Sequence, residues 1–473
     1  MDLTFPAREL IEATKGRLAG GNERRAFDSI STDTRKIKAG QLFVALSGDK
    51  HDGHGYLGQA VAAGAKGLVV AYDQLSKLPT IDLGDEGVTV ISVEDTLKAY
   101  GDIARFHRSR LPVPTVCVTG SNGKTATKEL IAAILGAKGK VLKTPKNHNN
   151  RIGVPQTLLA LDTTHEYAVI ECGTSEPGEI AQLARICGPD VGVLTNISPA
   201  HTSGLANVEG IAKEKGALYE ALPESGAAIV NLDVEWCVAQ SIRSKGRRIT
   251  FGEAEAADVR VKEYRLTGAS PTISGTVVIE GQEIDIETSL IGNFQIRNAA
   301  AAIAVGMAMG VPPREAARAL LTVQPELHRM EYLETRGIHI LDDTYNANPA
   351  STLQALETLD RCRNVTRGKG RTVAILGDML DLGVHSVESH RLIGRRAADL
   401  KLDVLIGVGE GMRDALDAAK EKGLRGAARI KDAESAAAQV GRQLRQGDWV
   451  LVKGSRAMEM DRVVEALTTR SVG

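Results

Sequence analysis

The sequence has few aromatic residues, few cysteines, no long apolar run and no excess charge of either sign. Phe, Trp and Tyr make up 3% of the 473 residues, which argues against a surface that stacks the bases of single-stranded nucleic acid. The 58 basic residues nearly cancel the 59 acidic residues, so a general electrostatic attraction to nucleic acid is missing too. We therefore expect no nucleic-acid partner.

The five cysteines are odd in number, widely spaced and without a C-x-x-C pair. This pattern suggests neither a disulfide framework nor a zinc site and favours a reducing compartment. The longest apolar run, Ala299–Val311, is shorter than the roughly 20 residues that span a bilayer, and residues 1–20 contain no apolar signal core. We expect a cytoplasmic protein without a membrane span, and a monomer.

The sequence is rich in glycine, with 49 residues, and 43% of its residues are hydrophobic, a balance that favours helices packed on sheets with tight turns. Strand and helix patterns alternate along the chain, which predicts an α/β protein of three domains. We predict a small N-terminal α/β domain over 1–90, a central mostly parallel-sheet domain over 91–325 and a further α/β domain over 326–473. Period-two strands near 258–291 predict an antiparallel edge to the central sheet.

A phosphate-binding loop is predicted where the apolar strand Thr115–Thr119 runs into Gly-Ser-Asn-Gly-Lys-Thr and then a helical pattern. Such a loop directs backbone N–H groups and the positive end of the helix toward a phosphate. In this reading Lys124 supplies a cation and the Thr125 hydroxyl a ligand for Mg²⁺. The glycine that opens a full Walker pattern is replaced by Val118, so this is a shortened variant. The predicted phosphate contacts are Gly120, Ser121, Asn122, Gly123, Lys124 and Thr125.

Further metal ligands are expected at the carboxyl ends of the neighbouring strands, where open parallel sheets bind their ligands. Glu171 ends one predicted strand, and His201 follows another by a few residues. With the phosphate loop they make a possible Mg²⁺ set, although imidazole is an unusual ligand for so hard a cation. Each residue taken alone is equally compatible with a solvent-exposed position.

Lys215 lies on the apolar face of a predicted helix, four residues after Ile211 and three before Leu218, whereas Lys213 does not. An apolar environment favours the neutral amine, and a neutral amine beside a metal could take up carbon dioxide as a carbamate and so become an anionic ligand. The alternative is that the ammonium reaches solvent or pairs with an acid.

Several motifs together resemble the Mur ligases of peptidoglycan synthesis, and in particular the members that add a dipeptide. The resemblance covers nearly the whole chain. The segments that carry it are Ser31–Arg35, Gly40–Gly48, Thr119–Thr125, Asn147–Pro155, Glu171–Ile180, Asp342–Pro349, Leu376–Gly383 and Lys453–Arg456.

This resemblance implies an ATP-dependent ligase that joins D-alanyl-D-alanine to UDP-N-acetylmuramoyl-tripeptide through an acyl phosphate. It implies that 1–90 is a UDP-binding domain, 91–325 a P-loop ATPase domain and 326–473 a Rossmann-like domain. The third residue of the tripeptide stays open between diaminopimelate and lysine. The resemblance implies a stabilising role for Lys124 at the transferred phosphoryl group, and Thr125 and Glu171 as Mg²⁺ ligands with His201 on a second Mg²⁺. Lys215 aligns with the lysine that the family carbamylates.

For the remaining positions the resemblance implies nucleotide and substrate contacts. The family commonly has Asn where this chain has Gln295, which puts one adenine contact in doubt. The implied contacts are Asn298 to adenine, Arg329 to the phosphates, Asp343 to the ribose, Ser31 and Ser47 to the UDP end, Asn149 and Asn150 to the muramoyl-peptide, and Tyr345 and Asn346 to the substrate.

Other functions compatible with the loop are a sister ligase that adds one amino acid, folylpolyglutamate synthase, and a protein that uses ATP only to switch its conformation. The N-terminal segments argue against the folate enzyme, and Tyr-Asn-Ala-Asn-Pro over 345–349 argues against the amino-acid-adding sisters. A switch would release phosphate in response to a protein partner instead of to two small substrates.

Overall fold

The structure, a computed structural model, describes residues 3–48, 51–84, 87–198, 207–267, 272–365 and 370–469. Its contacts divide the chain into two compact units. The first unit comprises the chain up to Cys117, Gly139–Thr174 and Gly178–Asp190, and the second comprises Val118–Lys138, Ser175–Pro177 and the chain from Val191 onward. The predicted strand Thr115–Thr119 is present and contributes residues to both units.

The first unit contains a five-stranded sheet in the order β2-β7-β6-β5-β4, in which only β2 runs antiparallel to its neighbour. In addition β1 pairs with β3, and β9 with β10. Its elements are β1 (Phe5–Pro6), α1 (Ala7–Thr14), β2 (Arg17–Gly20), β3 (Ala26–Phe27), β4 (Ile30–Ser31), β5 (Leu42–Val44), α2 (Leu57–Ala62), β6 (Gly67–Ala71), β7 (Thr89–Val93), α3 (Thr96–Ser109), the start of β8 (Thr115–Thr119), β9 (Val141–Lys143), α5 (Gly153–Leu158), β10 (Tyr167–Glu171) and α6 (Glu179–Cys187).

The second unit begins with the end of β8 and helix α4 (Lys124–Gly136) and then builds six strands in the order β16-β15-β14-β13-β12-β11. The strands β11 to β14 are parallel, and β14 to β16 are antiparallel. These elements are β11 (Val191–Leu194), α7 (Val208–Glu220), β12 (Ala227–Asn231), α8 (Glu235–Ser241), β13 (Arg247–Gly252), β14 (Val259–Thr267), β15 (Thr272–Ile279), β16 (Gln282–Thr288), α9 (Phe294–Ala308) and α10 (Pro313–Ala319).

The same unit carries a six-stranded sheet in the order β17-β18-β22-β19-β20-β21, in which only β17 is antiparallel to its neighbour. Apolar clusters cover both of its faces. Its elements are β17 (Glu331–Thr335), β18 (Ile338–Asp343), α11 (Pro349–Val365), β19 (Thr372–Gly377), α12 (Ser386–Asp399), β20 (Val404–Val408), α13 (Met412–Glu421), β21 (Ala427–Ile430), α14 (Ala433–Gln439), β22 (Trp449–Lys453) and α15 (Asp461–Thr469).

The predicted α/β class and the predicted antiparallel edge are confirmed. Strands such as β22 are buried along their whole length, as expected of parallel strands covered by helices on both faces. The domain boundaries at 90/91 and 325/326 stay a prediction. Within the described ranges, none of the helices combines the length and the hydropathy that crossing a bilayer requires.

Candidate functional site

The phosphate loop joins β8 to α4, and its shape depends on two glycines. Gly120 and Gly123 have φ angles of 147° and 80°, which side chains rarely allow. A Cβ atom on Gly120 would lie 1.9 Å from the hydroxyl oxygen of Thr195, and one on Gly123 would lie 2.7 Å from Oδ1 of Asn298. Because neither position has room for a side chain, the loop passes close to its neighbours with its backbone alone.

The end of the next strand, β11, braces the loop. The Thr195 hydroxyl and the Asn196 amide donate to the Asn122 carbonyl at 2.6 and 2.9 Å, and the Asn196 Oδ1 accepts the Asn122 N–H at 3.0 Å. The Ser121 hydroxyl donates to the Ser198 carbonyl at 2.9 Å and accepts the Ser198 N–H at 3.0 Å. These hydrogen bonds fix the side chain of Ser121 and the backbone of Asn122. The phosphate loop is therefore held in one conformation before a ligand binds.

Lys124 and Thr125 occupy the first turn of α4, next to the positive end of the helix. The Lys124 ammonium lies over the loop and donates to the Gly120 carbonyl at 2.9 Å. The Thr125 side chain is buried. The structure thus brings together the predicted residues Gly120 to Thr125 around one turn, with a single lysine ammonium above it.

Lys215 lies on α7 among the buried residues Ile211, Leu218 and Tyr219 and is 2% exposed, so its predicted burial is confirmed and its ammonium does not reach solvent. The pKa of Lys215 is lowered to about 7. Burial is the main cause, and the positive charge of Lys124 contributes to the same shift. Lys213 on the same helix is exposed, as predicted. Lys215 is therefore a buried amine within electrostatic reach of the phosphate loop.

Asn298, on α9, is buried against the loop at Gly123 and donates to the Gln295 Oε1 at 2.9 Å. Gln295 thus keeps an amide at the position where the family commonly has Asn, and this amide orients the Asn298 side chain. The predicted adenine contact of Asn298 stays a prediction.

The segment after β18 reaches the loop through Asn348, whose amide donates to the Asn122 Oδ1 at 2.7 Å. Asp343 is held by Lys453 at 2.5 Å and by the Met330 N–H at 3.1 Å. Burial raises the pKa of Asp343, and the ammonium of Lys453 opposes that rise. The contact between Asn348 and Asn122 connects the Asn-Ala-Asn-Pro segment directly to the phosphate loop.

Three other predicted residues, Arg329 before β17 and Tyr345 and Asn346 after β18, are placed by local contacts. The Arg329 guanidinium stacks 3.6 Å above the ring centre of Tyr345 and pairs with Glu326 at 3.6 Å. The Asn346 carbonyl accepts from Lys453 at 2.8 Å, and the Asn346 side chain accepts the following N–H. Arg329 is thus in contact with Tyr345, and Lys453 holds Asp343 and Asn346 close together. The ligands of these four predicted residues stay predictions.

In the first unit, Glu171 ends β10 as predicted and is 1% exposed. The Asn149 amide donates to its Oε1 at 2.7 Å, so these two predicted residues are in direct contact. Asn150 is exposed, and its Oδ1 accepts the N–H groups of Ile152 and Gly153. That oxygen therefore shapes the turn before α5, and the predicted substrate contact of Asn150 stays a prediction.

The predicted UDP contacts lie on the five-stranded sheet of the first unit. Ser31 ends β4, and its hydroxyl forms a turn with Asp33. Ser47 lies beyond the end of β5 and is exposed, and its backbone forms an isolated antiparallel β-bridge with that of Asp52. His201, predicted as a metal ligand, lies outside the described residues.

Besides Ser198, three residues at strand ends were not predicted to contribute to the site: Thr195, Asn196 and Lys453. Each lies at or just beyond the carboxyl end of a parallel strand, which is the same signal that identified Glu171. Asn348 was part of a quoted motif without an assigned contact. A search of every strand end for polar side chains would have found Thr195 and Asn196.

A buried ion cluster joins α4 to the segment before β17. Lys128 is fully buried and lies 2.9 Å from Glu129 and 3.2 Å from Glu326. Burial raises the pKa of Glu326, although the charge of Lys128 opposes the rise. Removal of Lys128 would therefore take a fully buried positive charge away from two carboxylates that lie within 3.2 Å of it.

We expect Lys128→Met to lower the free energy of unfolding by about 3–5 kcal/mol, because the two carboxylates lose their buried cation. Denaturant unfolding followed by circular dichroism measures this loss. The matched control is Lys138→Met, which removes a lysine paired with Glu315 at the surface and should cost less than about 1 kcal/mol. Equal losses in the two variants would show that the burial of Lys128 does not matter.

The chain is similar to known proteins over nearly its whole length. Family models match at residues 26–108 (Mur ligase family, catalytic domain), 118–306 (Mur ligase middle domain) and 328–456 (Mur ligase, glutamate ligase domain). The UDP-N-acetylmuramoyl-tripeptide–D-alanyl-D-alanine ligase of Bacillus subtilis is 34% identical over 97% of both chains. A crystal structure of MurF from Acinetobacter baumannii is 28% identical over 99% of both chains, with a TM-score of 0.88.

MurF ligase from Thermotoga maritima, solved in complex with ADP, is 27% identical over 93% of this chain and 96% of its own, with a TM-score of 0.82. The fold and the braced phosphate loop define an ATP-dependent ligase of the α/β class. The chain belongs to the Mur ligase family.

Proposed function

We propose that this protein joins D-alanyl-D-alanine to UDP-N-acetylmuramoyl-tripeptide and converts ATP to ADP and phosphate. The observation that carries this proposal is the end-to-end similarity to ligases of that name, 34% identical over 97% of both chains. The contact of Asn348 with the phosphate loop supports it, because the Asn-Ala-Asn-Pro segment is the one that distinguishes the dipeptide-adding members.

The chemistry is the activation of a carboxylate followed by amide formation. The tripeptide carboxylate attacks the γ-phosphorus of ATP, and ADP leaves. The amine of the dipeptide then attacks the acyl phosphate, loses a proton and displaces inorganic phosphate. Phosphoryl transfer of this kind requires alignment and charge neutralisation more than a nucleophilic side chain. Lys124, held above the loop, is the residue that neutralises charge on the transferred group.

Mg²⁺ would be held by Thr125 and Glu171, whose hydroxyl and carboxylate oxygens are the hard donors that this ion prefers, with His201 on a second ion. Bound Mg²⁺ supplies neutralisation of the phosphate charges. In this proposal the Asn149 amide orients the Glu171 carboxylate, since it donates to one of its oxygens. The braced loop backbone of Gly120 to Gly123 holds the phosphates in place.

We assign the other contacts on the same basis. Asn298 would face the adenine, Asp343 the ribose and Arg329 the phosphates. The substrate contacts would be Ser31 and Ser47 at the UDP end, Asn149 and Asn150 along the muramoyl-peptide, and Tyr345 and Asn346 in the C-terminal domain. We also infer a cytoplasmic monomer; the absence of disulfides among its five cysteines fits a reducing compartment.

Lys215 would act as a carbamate formed with carbon dioxide, in which its amine becomes an anionic oxygen ligand. Its burial and its pKa of about 7 support this role, because carbamate formation needs the neutral amine.

The test is the release of phosphate with defined acceptors. ATP alone, or ATP with one co-substrate, should give little release, whereas UDP-muramoyl-tripeptide together with D-alanyl-D-alanine should give release and a product heavier by the dipeptide less one water. The controls replace the dipeptide with single amino acids, and the nucleotide substrate with a folate.

Turnover with a single amino acid would identify a sister ligase, and turnover with a folate and glutamate would identify a folylpolyglutamate synthase. Phosphate release stimulated by a protein in the absence of both small substrates would identify a conformational switch. Each of these results would overturn the proposed reaction.

A further inference from the structure

Three cysteines that are far apart in the sequence converge inside the first unit. Cys117 is the central residue of β8, Cys172 directly follows β10 and Cys187 is the last residue of α6. Their sulfur atoms all lie within 4.8 Å of one another, and all three side chains are completely buried. The fold therefore builds a compact cluster of three sulfurs that the sequence spacing does not reveal.

We propose that Cys117, Cys172 and Cys187 form a trigonal binding site for a soft, thiophilic metal ion of the Cu(I) class. Thiolates are the ligands that select such ions. With metal–sulfur distances of about 2.3 Å, three sulfurs in a plane around one ion lie about 4 Å from each other. The sulfurs already lie close to that separation, so the site requires only small side-chain movements.

The number of ligands and their burial favour Cu(I) over the harder or four-coordinate ions. A structural zinc ion takes four ligands, whereas the cluster contains three among the described residues. All three side chains are 0% exposed, so bulk solvent does not supply a fourth ligand. Mg²⁺ requires oxygen ligands, so this site is chemically distinct from the one proposed at Thr125 and Glu171.

The binding step involves no electron transfer. Each thiol that becomes a ligand releases its proton to the buffer as its metal–sulfur bond forms, and copper enters and stays as Cu(I). The site is also linked along the chain to the phosphate loop and to Glu171. Cys117 lies two residues before Thr119 in the strand that enters the loop, and Cys172 follows Glu171. An ion that draws the three sulfurs together should therefore also slow the turnover of ATP.

The experiment is an anaerobic titration of the full-length protein with Cu(I) in competition with a chromophoric Cu(I) chelator. We expect one equivalent of Cu(I) to bind per chain and to give ultraviolet thiolate-to-copper absorption. Because the sulfurs are buried and the ion enters slowly, each addition is followed until the absorption is constant. X-ray absorption of the complex should give a first shell of three sulfurs without nitrogen or oxygen.

The chain provides matched controls, because Cys237 and Cys362 are buried cysteines outside the cluster. The double variant Cys237→Ala, Cys362→Ala should bind Cu(I) as the unaltered protein does, whereas Cys187→Ala should lower the affinity at least tenfold. The X-ray absorption result on the unaltered protein decides the question if Cys187→Ala does not fold. Failure to compete with the chelator, a first shell with fewer than three sulfurs, or loss of binding in the control variant would each overturn the proposal.

Discussion

Replacement of Lys124 with alanine is expected to lower kcat by about 10³-fold, the scale on which preorganised groups stabilise charge in a transition state. The lysine ammonium lies above the loop, 2.9 Å from the Gly120 carbonyl. Phosphate release with both substrates present measures the effect, and the loss should fall on kcat more than on the KM for the dipeptide.

The fold should survive this change, because Lys124 lies in the first turn of α4 and the loop is held mainly by Thr195, Asn196 and Ser198. We expect a melting temperature within a few degrees of that of the unaltered protein. Lys138→Ala removes the same charge just beyond the other end of the helix and should leave kcat unchanged. An active Lys124→Ala variant would show that the ammonium does not meet the transferred group.

The parts of the site that the sequence predicted are those encoded within one short segment. The strand, the two glycines, Lys124 and Thr125 follow each other without interruption, so their arrangement depends on local backbone geometry. Lys215 was predicted for a similar reason, since its helix has an apolar face on which Ile211 and Leu218 fix the position of the lysine.

The parts that the sequence did not predict depend on contacts between distant segments. The contact between Asn348 and Asn122 joins residues more than two hundred positions apart, and no local period indicates it. The spacing of the three clustered cysteines suggested neither a disulfide framework nor a zinc site, yet the fold brings them together. Only the order of the strands determines such contacts.

Lys215→Met is expected to raise stability and abolish activity together. In the folded protein the pKa of Lys215 is about 7, below the value of 10.5 for an exposed lysine. Between these two values the unfolded chain binds a proton that the folded chain does not, so the contribution of this group to the free energy of unfolding rises with pH from about 7 to about 10.5. Below pH 7 both states are protonated and the folded protein bears the full cost of the buried charge.

Methionine removes that cost without opening a large cavity. In carbon-dioxide-free buffer at pH 7 we expect the variant to be more stable by on the order of 1–4 kcal/mol, the scale found when buried charges are replaced by apolar residues. The gain should shrink as the pH rises toward 10.5, which denaturant unfolding at several pH values measures. The control is Lys213→Met, which alters an exposed lysine on the same helix and should show neither the gain nor its pH dependence.

The activity of the Lys215 variants separates a functional lysine from a merely buried one. If Lys215 supplies an anionic ligand as a carbamate, Lys215→Met should lose at least about 100-fold in kcat, the upper end of the losses seen when groups that support a metal site are removed. Lys215→Ala should lose as much, but it leaves space in which formate or acetate could place a carboxylate, so these anions should restore part of its turnover. If chloride at the same ionic strength restored the turnover of Lys215→Ala as much as formate or acetate, the carbamate would be contradicted. Full activity of either variant without an added anion would show that Lys215 takes no part in the reaction.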